Sequence, residues 1–276
     1  VWMSRPTWPN HLGIFSAAGF TLKDYPYYDP STHGLDFGRM AEALEKVPEN
    51  DIVLLHVCCH NPTGVDVGRE QWRPLAEIAQ RRRWIPFFDF AYQGFGEGLE
   101  EDREGLVPFM KAGLECLVST SYSKNFGLYN ERVGALTLVV ADAQAAEKAF
   151  SQVKAVVRTI YSNPPSHGSL IVSTILQDRE LRALWEGEVR EMRERIAGTR
   201  AAMVDGLKKR NAPMDFSYIM KQKGMFSFSG LSDAQVAFLR EKKGIYMVGG
   251  GRINVAGIMV HDIDYLCDSI VEALKA

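Results

Sequence analysis

Apolar and polar positions along the chain sort into short runs of strand length and longer segments of helical period. The strand-like runs are "FTLKDYPYY", "DIVLLHVCC" (51–59), "WIPFFDF" (84–90), "ECLVSTS" (115–121) and "RVGALTLVV" (132–140). Between them, residues 36–46, 69–83 and 101–112 repeat their apolar positions at helical spacing. Strands apolar on both faces, each followed by a helix, predict a mostly parallel sheet covered on both sides. In such sheets ligands gather at the carboxyl ends of the strands.

Helical patterns continue over 142–158 and 167–210, interrupted by "SNPPSHG", where two prolines forbid helix continuation. The second pattern is long and charged, as expected of a connector between domains. Beyond it, "GMFSFSG" reads as a strand and "SDAQVAFLREKK" as a helix capped by Ser232 or Asp233. "GIYMVGG" and "GRINVAG" read as strands, and "HDIDYLCDSIVEALKA" as a terminal helix. The expected architecture is α/β, with a large domain over 1–190 and a smaller C-terminal α/β domain over 191–276.

Composition narrows the function classes. The 276 residues are 46% hydrophobic and 24% charged, ordinary for a globular chain with a sizeable core. A net charge of −2 supplies no global field for nucleic acid or anionic membranes. The basic run Arg81 to Arg83 closes an amphipathic segment, where cations suit the negative end of a helix dipole. Four cysteines, two of them adjacent (Cys58 and Cys59), make no disulfide framework and point to a reducing compartment, taken as the cytoplasm with the mitochondrion as the alternative. No apolar run approaches the roughly 20 residues that span a bilayer.

The candidate chemistry lies where strands end. "SYSKNFG" places Lys124 after an apolar run, flanked by Ser121 and Ser123 and followed by Arg132. Taken alone, Lys124 reads as a surface loop lysine, and Asp89 as a salt-bridge or cap residue. If parallel strands end together, however, "HNPTG", "DFAYQGFG" and "SYSKNFG" bring Asn61, Asp89, Tyr92 and Lys124 into one cleft. A free lysine is almost wholly protonated at neutral pH, so a nucleophilic amine needs a depressed pKa or a standing covalent bond. Pyridoxal phosphate accounts for the whole set: an amine for its aldehyde, a carboxylate at its ring nitrogen, and cationic and hydroxyl donors for its phosphate. Tyr92 and Asn61 can serve the ring's 3-oxygen, and Trp8 offers a flat face for stacking.

The ordered motifs "PTWPNH", "CCHNPTG", "FFDFAYQGFG", "SYSKNFGLYNERVG", "YSNPP" and "GRINVAG" closely resemble those of the class I aminotransferases, in the aspartate and aromatic group of the fold type I pyridoxal enzymes. The resemblance runs over nearly the whole chain. It implies that Lys124 forms the internal aldimine and later carries the proton between the substrate Cα and the cofactor, while Asp89, backed by His11, holds the ring nitrogen. It also implies that Ser121, Ser123 and Arg132 bind the phosphate, that Arg252 binds the substrate α-carboxylate, and that Phe226, Trp8 and Asn61 line the substrate pocket. Arg158 matches the family's arginine for the side-chain carboxylate, which reaches across from the neighbouring subunit of a homodimer. The implied reaction is ping-pong transfer of the amino group from L-aspartate to 2-oxoglutarate, with aromatic amino acid transamination as the alternative.

Two other readings of the motifs are weaker. His56, Cys58 and His60 share one strand face in "HVCCH" and offer three metal ligands, without a fourth nearby, so no metal is expected. The spaced glycines of "QGFGEG" precede an acidic segment instead of a helix that could open on pyrophosphate. A third reading comes from another class, a folded fragment or binding module without turnover. The chain opens at Val1, whereas members of the family carry a long stretch before "PTWPNH" that adds phosphate donors. On that reading the 276 residues alone fold poorly or bind the cofactor weakly.

Overall fold

The structure is a computed structural model and describes residues 1–276. In chain order, β1 (Trp2–Arg5), α1 (Pro9–Ala17) and β2 (Lys23–Pro26) lead to a small ribbon, β3 (Tyr28–Asp29) and β4 (Gly34–Leu35), then α2 (Phe37–Leu44). There follow β5 (Ile52–His56), α3 (Trp72–Arg82), β6 (Ile85–Phe90), α4 (Val107–Lys111), β7 (Cys116–Ser121) and β8 (Gly134–Val139). The strands form a six-stranded sheet in the order β2-β1-β5-β6-β7-β8, parallel throughout except for the antiparallel β7–β8 pair.

Local sequence explains these elements. Val53 to His56 are all buried, as expected of a strand covered on both faces. Helix α3 turns Trp72, Leu75, Ala76, Ile78 and Ala79 inward and ends at Arg83, which takes a left-handed φ of 56°. Pro86 is tolerated in central β6 because pairing with β7 begins only at Phe87, so no ladder bond to that strand is lost.

The second half is helical: α5 (Ala143–Ile160), α6 (Ser166–Gln177) and α7 (Arg179–Lys209). A compact set follows, with β9 (Phe226–Phe228), α8 (Asp233–Lys243), β10 (Arg252–Asn254) and α9 (Ile263–Ala273). β9 and β10 pair antiparallel. Ser232 and Gln235 form a capping box at the start of α8. One contiguous core runs from Tyr25 to Ala273, and Met203 and Leu207 of α7 are buried in it with Leu266 and Ile270 of α9. Helix α7 passes through residue 190 without a break, so the division at 190/191 stays a proposal about which elements move together.

Two expectations need correction, and one strand went unread. The pattern over 167–210 is two helices, because Asp178 accepts N–H bonds from Glu180 and Leu181 and starts α7 afresh. "GIYMVGG" is no strand: Tyr246 is 82% exposed, and only Val248 bridges to Arg252. Strand β1 has no counterpart in the apolar pattern, since its four residues are too few to declare a period.

Candidate active site

Parallel β1, β5, β6 and β7 end on one edge of the sheet, and the loops leaving them carry the candidate residues. Register sets the first contacts. His56 pairs with Asp89 and Asp89 with Ser119, so the imidazole at the end of β5 lies beside the carboxylate at the end of β6. Helix α1, opened by Pro9 at its first turn, brings buried His11 over them. His11 Nε2 lies 3.0 Å from Asp89 Oδ2, and its Nδ1 lies 2.9 Å from Thr7 Oγ1. The other carboxylate oxygen accepts the Ala91 N–H at 3.0 Å. Burial pushes the Asp89 carboxyl up, but the His11 bond, the adjoining imidazoles and the Ala91 N–H outweigh it, and the group stays below the ordinary carboxylate value.

Lys124 follows β7 and is half-buried. Its Nζ lies 4.7 Å from the centre of the Tyr92 ring and has no carboxylate partner. Desolvation lowers its pKa, Asp89 opposes that, and Arg132 reinforces it. The Tyr92 hydroxyl accepts a 3.3 Å bond from Asn61 Nδ2, while Asn61 Oδ1 is buried without a partner. Burial, and then the Asp89 charge, raise the Tyr92 phenol. Phe226 stands edge-on to Tyr92 at 6.5 Å, and the Arg252 guanidinium lies 5.0 Å over the Phe226 ring. An unbroken chain of contacts thus runs from Arg252 through Phe226 and Tyr92 to Lys124 and Asn61.

The remaining candidates divide. Buried Ser123 donates its N–H to Ser121 Oγ, which shapes the turn before Lys124. Exposed Arg132 takes a left-handed φ of 52° and gives one bond to Tyr129 O. Trp8 packs edge-on against His11 and keeps 37% of its surface exposed, leaving a face free for stacking. Arg158 is not brought to this cleft within the chain. It lies exposed on α5 and donates to Ser162. A cavity of about 720 Å³, lined by residues that include Arg5, Tyr28, His33 and Phe228, holds none of Lys124, Asp89 or Asn61.

Some site-building residues had no role in the sequence reading. Thr7 fixes His11 from inside "PTWPNH". Asp66 accepts the N–H groups of Cys59 and His60, both at 2.8 Å, and so secures the loop that carries Asn61. His60, weighed above as a metal ligand, spends its ring nitrogens on Ser4 and Thr63 and stacks on Tyr27. His11, His56 and Asp89 do place ligand atoms within 4.8 Å of one another, but His11 Nε2 and Asp89 Oδ2 are already bonded together.

The donor set fits pyridoxal phosphate. It offers an unpaired half-buried amine, a carboxylate kept ionised by histidine, a phenol, an amide N–H and two guanidinium groups, Arg132 and Arg252, without carboxylate partners. Fold and cleft together define a transferase of the pyridoxal type. The chain belongs to the "Aminotransferase class I and II" family, whose profile matches residues 1–270. It is 53% identical over 274 residues to the aspartate aminotransferase of Salmonella typhi, covering 99% of this chain and 69% of that one. It is 48% identical to the aromatic-amino-acid aminotransferase of Escherichia coli, covering 94% and 65%. Among solved structures, the aromatic-amino-acid aminotransferase of Burkholderia pseudomallei, covalently bound to pyridoxal phosphate, superposes with a TM-score of 0.98 at 47% identity, over 99% of this chain and 68% of that one.

Proposed function

We infer that this protein is a pyridoxal-phosphate-dependent aminotransferase that moves the amino group of L-aspartate to 2-oxoglutarate in two half-reactions. The observation that carries the reading is the half-buried, carboxylate-free amine of Lys124 over Tyr92, beside an Asp89 held ionised by His11. Bound pyridoxal phosphate supplies an aldehyde carbon and a protonated ring that accepts the electron pair released at the substrate Cα.

The protein's own groups do the rest. Lys124 takes and returns the proton at the substrate Cα, and its lowered pKa brings the free amine closer to the neutral form that this needs. Asp89 would hold the protonated ring nitrogen, and His11, fixed by Thr7, would keep that carboxylate in place. Asn61 and Tyr92 would serve the ring's 3-oxygen. Ser121, Ser123 and Arg132 would anchor the phosphate. Arg252 orients the α-carboxylate through its planar fork, with Phe226 and Trp8 walling the pocket. Aromatic amino acids are the second reading, favoured by the aromatic walls at Trp8, Tyr92 and Phe226.

A homodimer with shared sites belongs to the same proposal. Helix α5 buries none of its 18 residues and exposes Phe150, Val156 and Ile160, and β8, which it touches, exposes Leu136; such apolar surface suits a second copy. Arg158 lies on that helix, free to serve the partner's cleft. A cytoplasmic location is supported by four cysteines that are all buried and free. No helix is long and apolar enough to cross a membrane.

The decisive test is to load the protein with pyridoxal phosphate, reduce with borohydride and map the labelled peptide. Label confined to Lys124, with glutamate formed from aspartate and 2-oxoglutarate, is the expected result. Label scattered over surface lysines would overturn the assignment.

A further inference from the structure

Strand β9 has three residues and one neighbour, β10, and two-stranded ribbons are marginal on their own. Its other side meets the buried side chain of Arg200, 3% exposed, from the middle of α7. Arg200 Nη2 donates to Gly224 O at 2.5 Å and to Phe226 O at 2.9 Å, and Nη1 donates to the hydroxyl of fully buried Ser227. Phe226 and Ser227 pair directly with Asn254 and Ile253, the residues that follow Arg252. The planar fork therefore stands where a third strand would stand, and satisfies carbonyls that would otherwise be buried and unpaired.

The same segment lies flush against the loop carrying Asn61. A Cβ on Gly224 would fall 2.4 Å from Cys59 Cβ, and one on Gly64 would fall 2.5 Å from Phe226 O. Lys223 N donates to Gly64 O at 2.7 Å, and Val255 N to Met225 O at 2.8 Å. A shift of β9 is thus passed through its pairing to Arg252, while the Asn61 loop on the other side is held separately by Asp66. A guanidinium buried without a carboxylate is expensive, and burial lowers its pKa to about 10. No ion pair accounts for keeping Arg200 there, whereas its three bonds to the β9 segment do.

We propose that Arg200 is a positioning residue for Arg252: by gripping Gly224, Phe226 and Ser227 it sets the distance and angle at which Arg252 meets the substrate α-carboxylate. The proposal rests on the reading of Arg252 given above. A lysine cannot replace this fork, because one ammonium cannot reach two carbonyls and a hydroxyl in that planar arrangement.

The test uses the pyridoxal-phosphate-loaded protein and maleate, a dicarboxylate that cannot react, with its Kd read by calorimetry. R200K, R200M and the milder S227A are compared with R252A, and the visible band of the cofactor and its Kd are measured in each. R200K and R200M should weaken maleate about 10-fold or more and raise KM more than they lower kcat, with cofactor Kd and band unchanged. S227A, which removes one of the three bonds, should shift maleate Kd in the same direction by a smaller factor. Should the Arg200 variants fail to fold, S227A decides by itself. Unchanged maleate Kd in these variants, with only a lower Tm, would show a purely structural arginine and overturn the proposal. If R252A also leaves maleate binding unchanged, or the unsubstituted protein binds none, the reading of the α-carboxylate site fails first.

Discussion

At the scale of single residues, the site depends on charges that have no partner of their own. Lys124→Ala should lower kcat by at least about 10²–10⁴-fold, the usual weight of one positioned acid–base group, in a steady-state assay at saturating substrate. The histidines behind the cleft give a pH prediction. Burial pushes His56 down to about 4, from 6.5 in an unfolded chain, and holds His60 well below that ordinary value. Between pH 6.5 and 4 the unfolded chain therefore binds protons that the folded chain refuses, and stability falls as pH drops through that window. Asp66 opposes this, because burial raises its carboxyl to about 6, so the folded form takes up that proton first. Two histidines against one carboxyl leave a net loss of at most about 1.4 kcal/mol per pH unit. Thermal midpoints should decline steadily from pH 6.5 to 4, and a flat profile would mean that the imidazoles are solvated. The convergence of Lys124, Asp89, Asn61 and Tyr92 was legible because they lie at, or just beyond, the ends of apolar strands. Arg200 was not, because "REMRERIAGTR" reads as a solvated helix face. Nothing in that spacing shows that one of its arginines turns inward under β9.

At the scale of elements, every strand of the sheet except four-residue β1 was readable from its apolar run, and one error fell where a side chain overrode the period. The split between α6 and α7 is that case: the apolar spacing continues through 178, but the Asp178 carboxylate captures two N–H groups and restarts the helix. Asp178→Ala should destabilise by about 1 kcal/mol in denaturant titration, the typical loss of an N-cap. The seam between β9, which the sequence showed, and the Asn61 loop is set by close contact instead of period. Gly224 sits at a φ of +78°, with Cys59 where a methyl would go. Gly224→Ala should combine a left-handed backbone penalty with overpacking, about 2–4 kcal/mol in all, seen as a lower unfolding midpoint. "GIYMVGG" failed as a strand for the opposite reason. Its apolar residues find no sheet to join, and the glycines 249 to 251 turn the chain back toward β10.

At the scale of the whole molecule, the exposed face of α5 and the distance of Arg158 from the cleft make a joint prediction. A Lys124→Ala chain and an Arg158→Ala chain should each transaminate aspartate poorly. Co-expressed, they should recover activity, because in a mixed dimer one cleft receives both an intact lysine and an intact partner arginine. No recovery would mean that each chain supplies its own side-chain clamp, or that Arg158 has no such role. Separately, Arg158→Ala should depress turnover of aspartate far more than that of tyrosine, measured as kcat/KM for each. The pairing of His56 with Asp89 and of Asp89 with Ser119 has a consequence for refolding. A slip of one residue between β5 and β6 would turn Asp89 to the opposite face of the sheet. Only correctly aligned chains would then hold pyridoxal phosphate in its yellow protein-bound form. The colour regained by a denatured sample would count molecules with the native strand alignment, a quantity that circular dichroism, blind to alignment, cannot give.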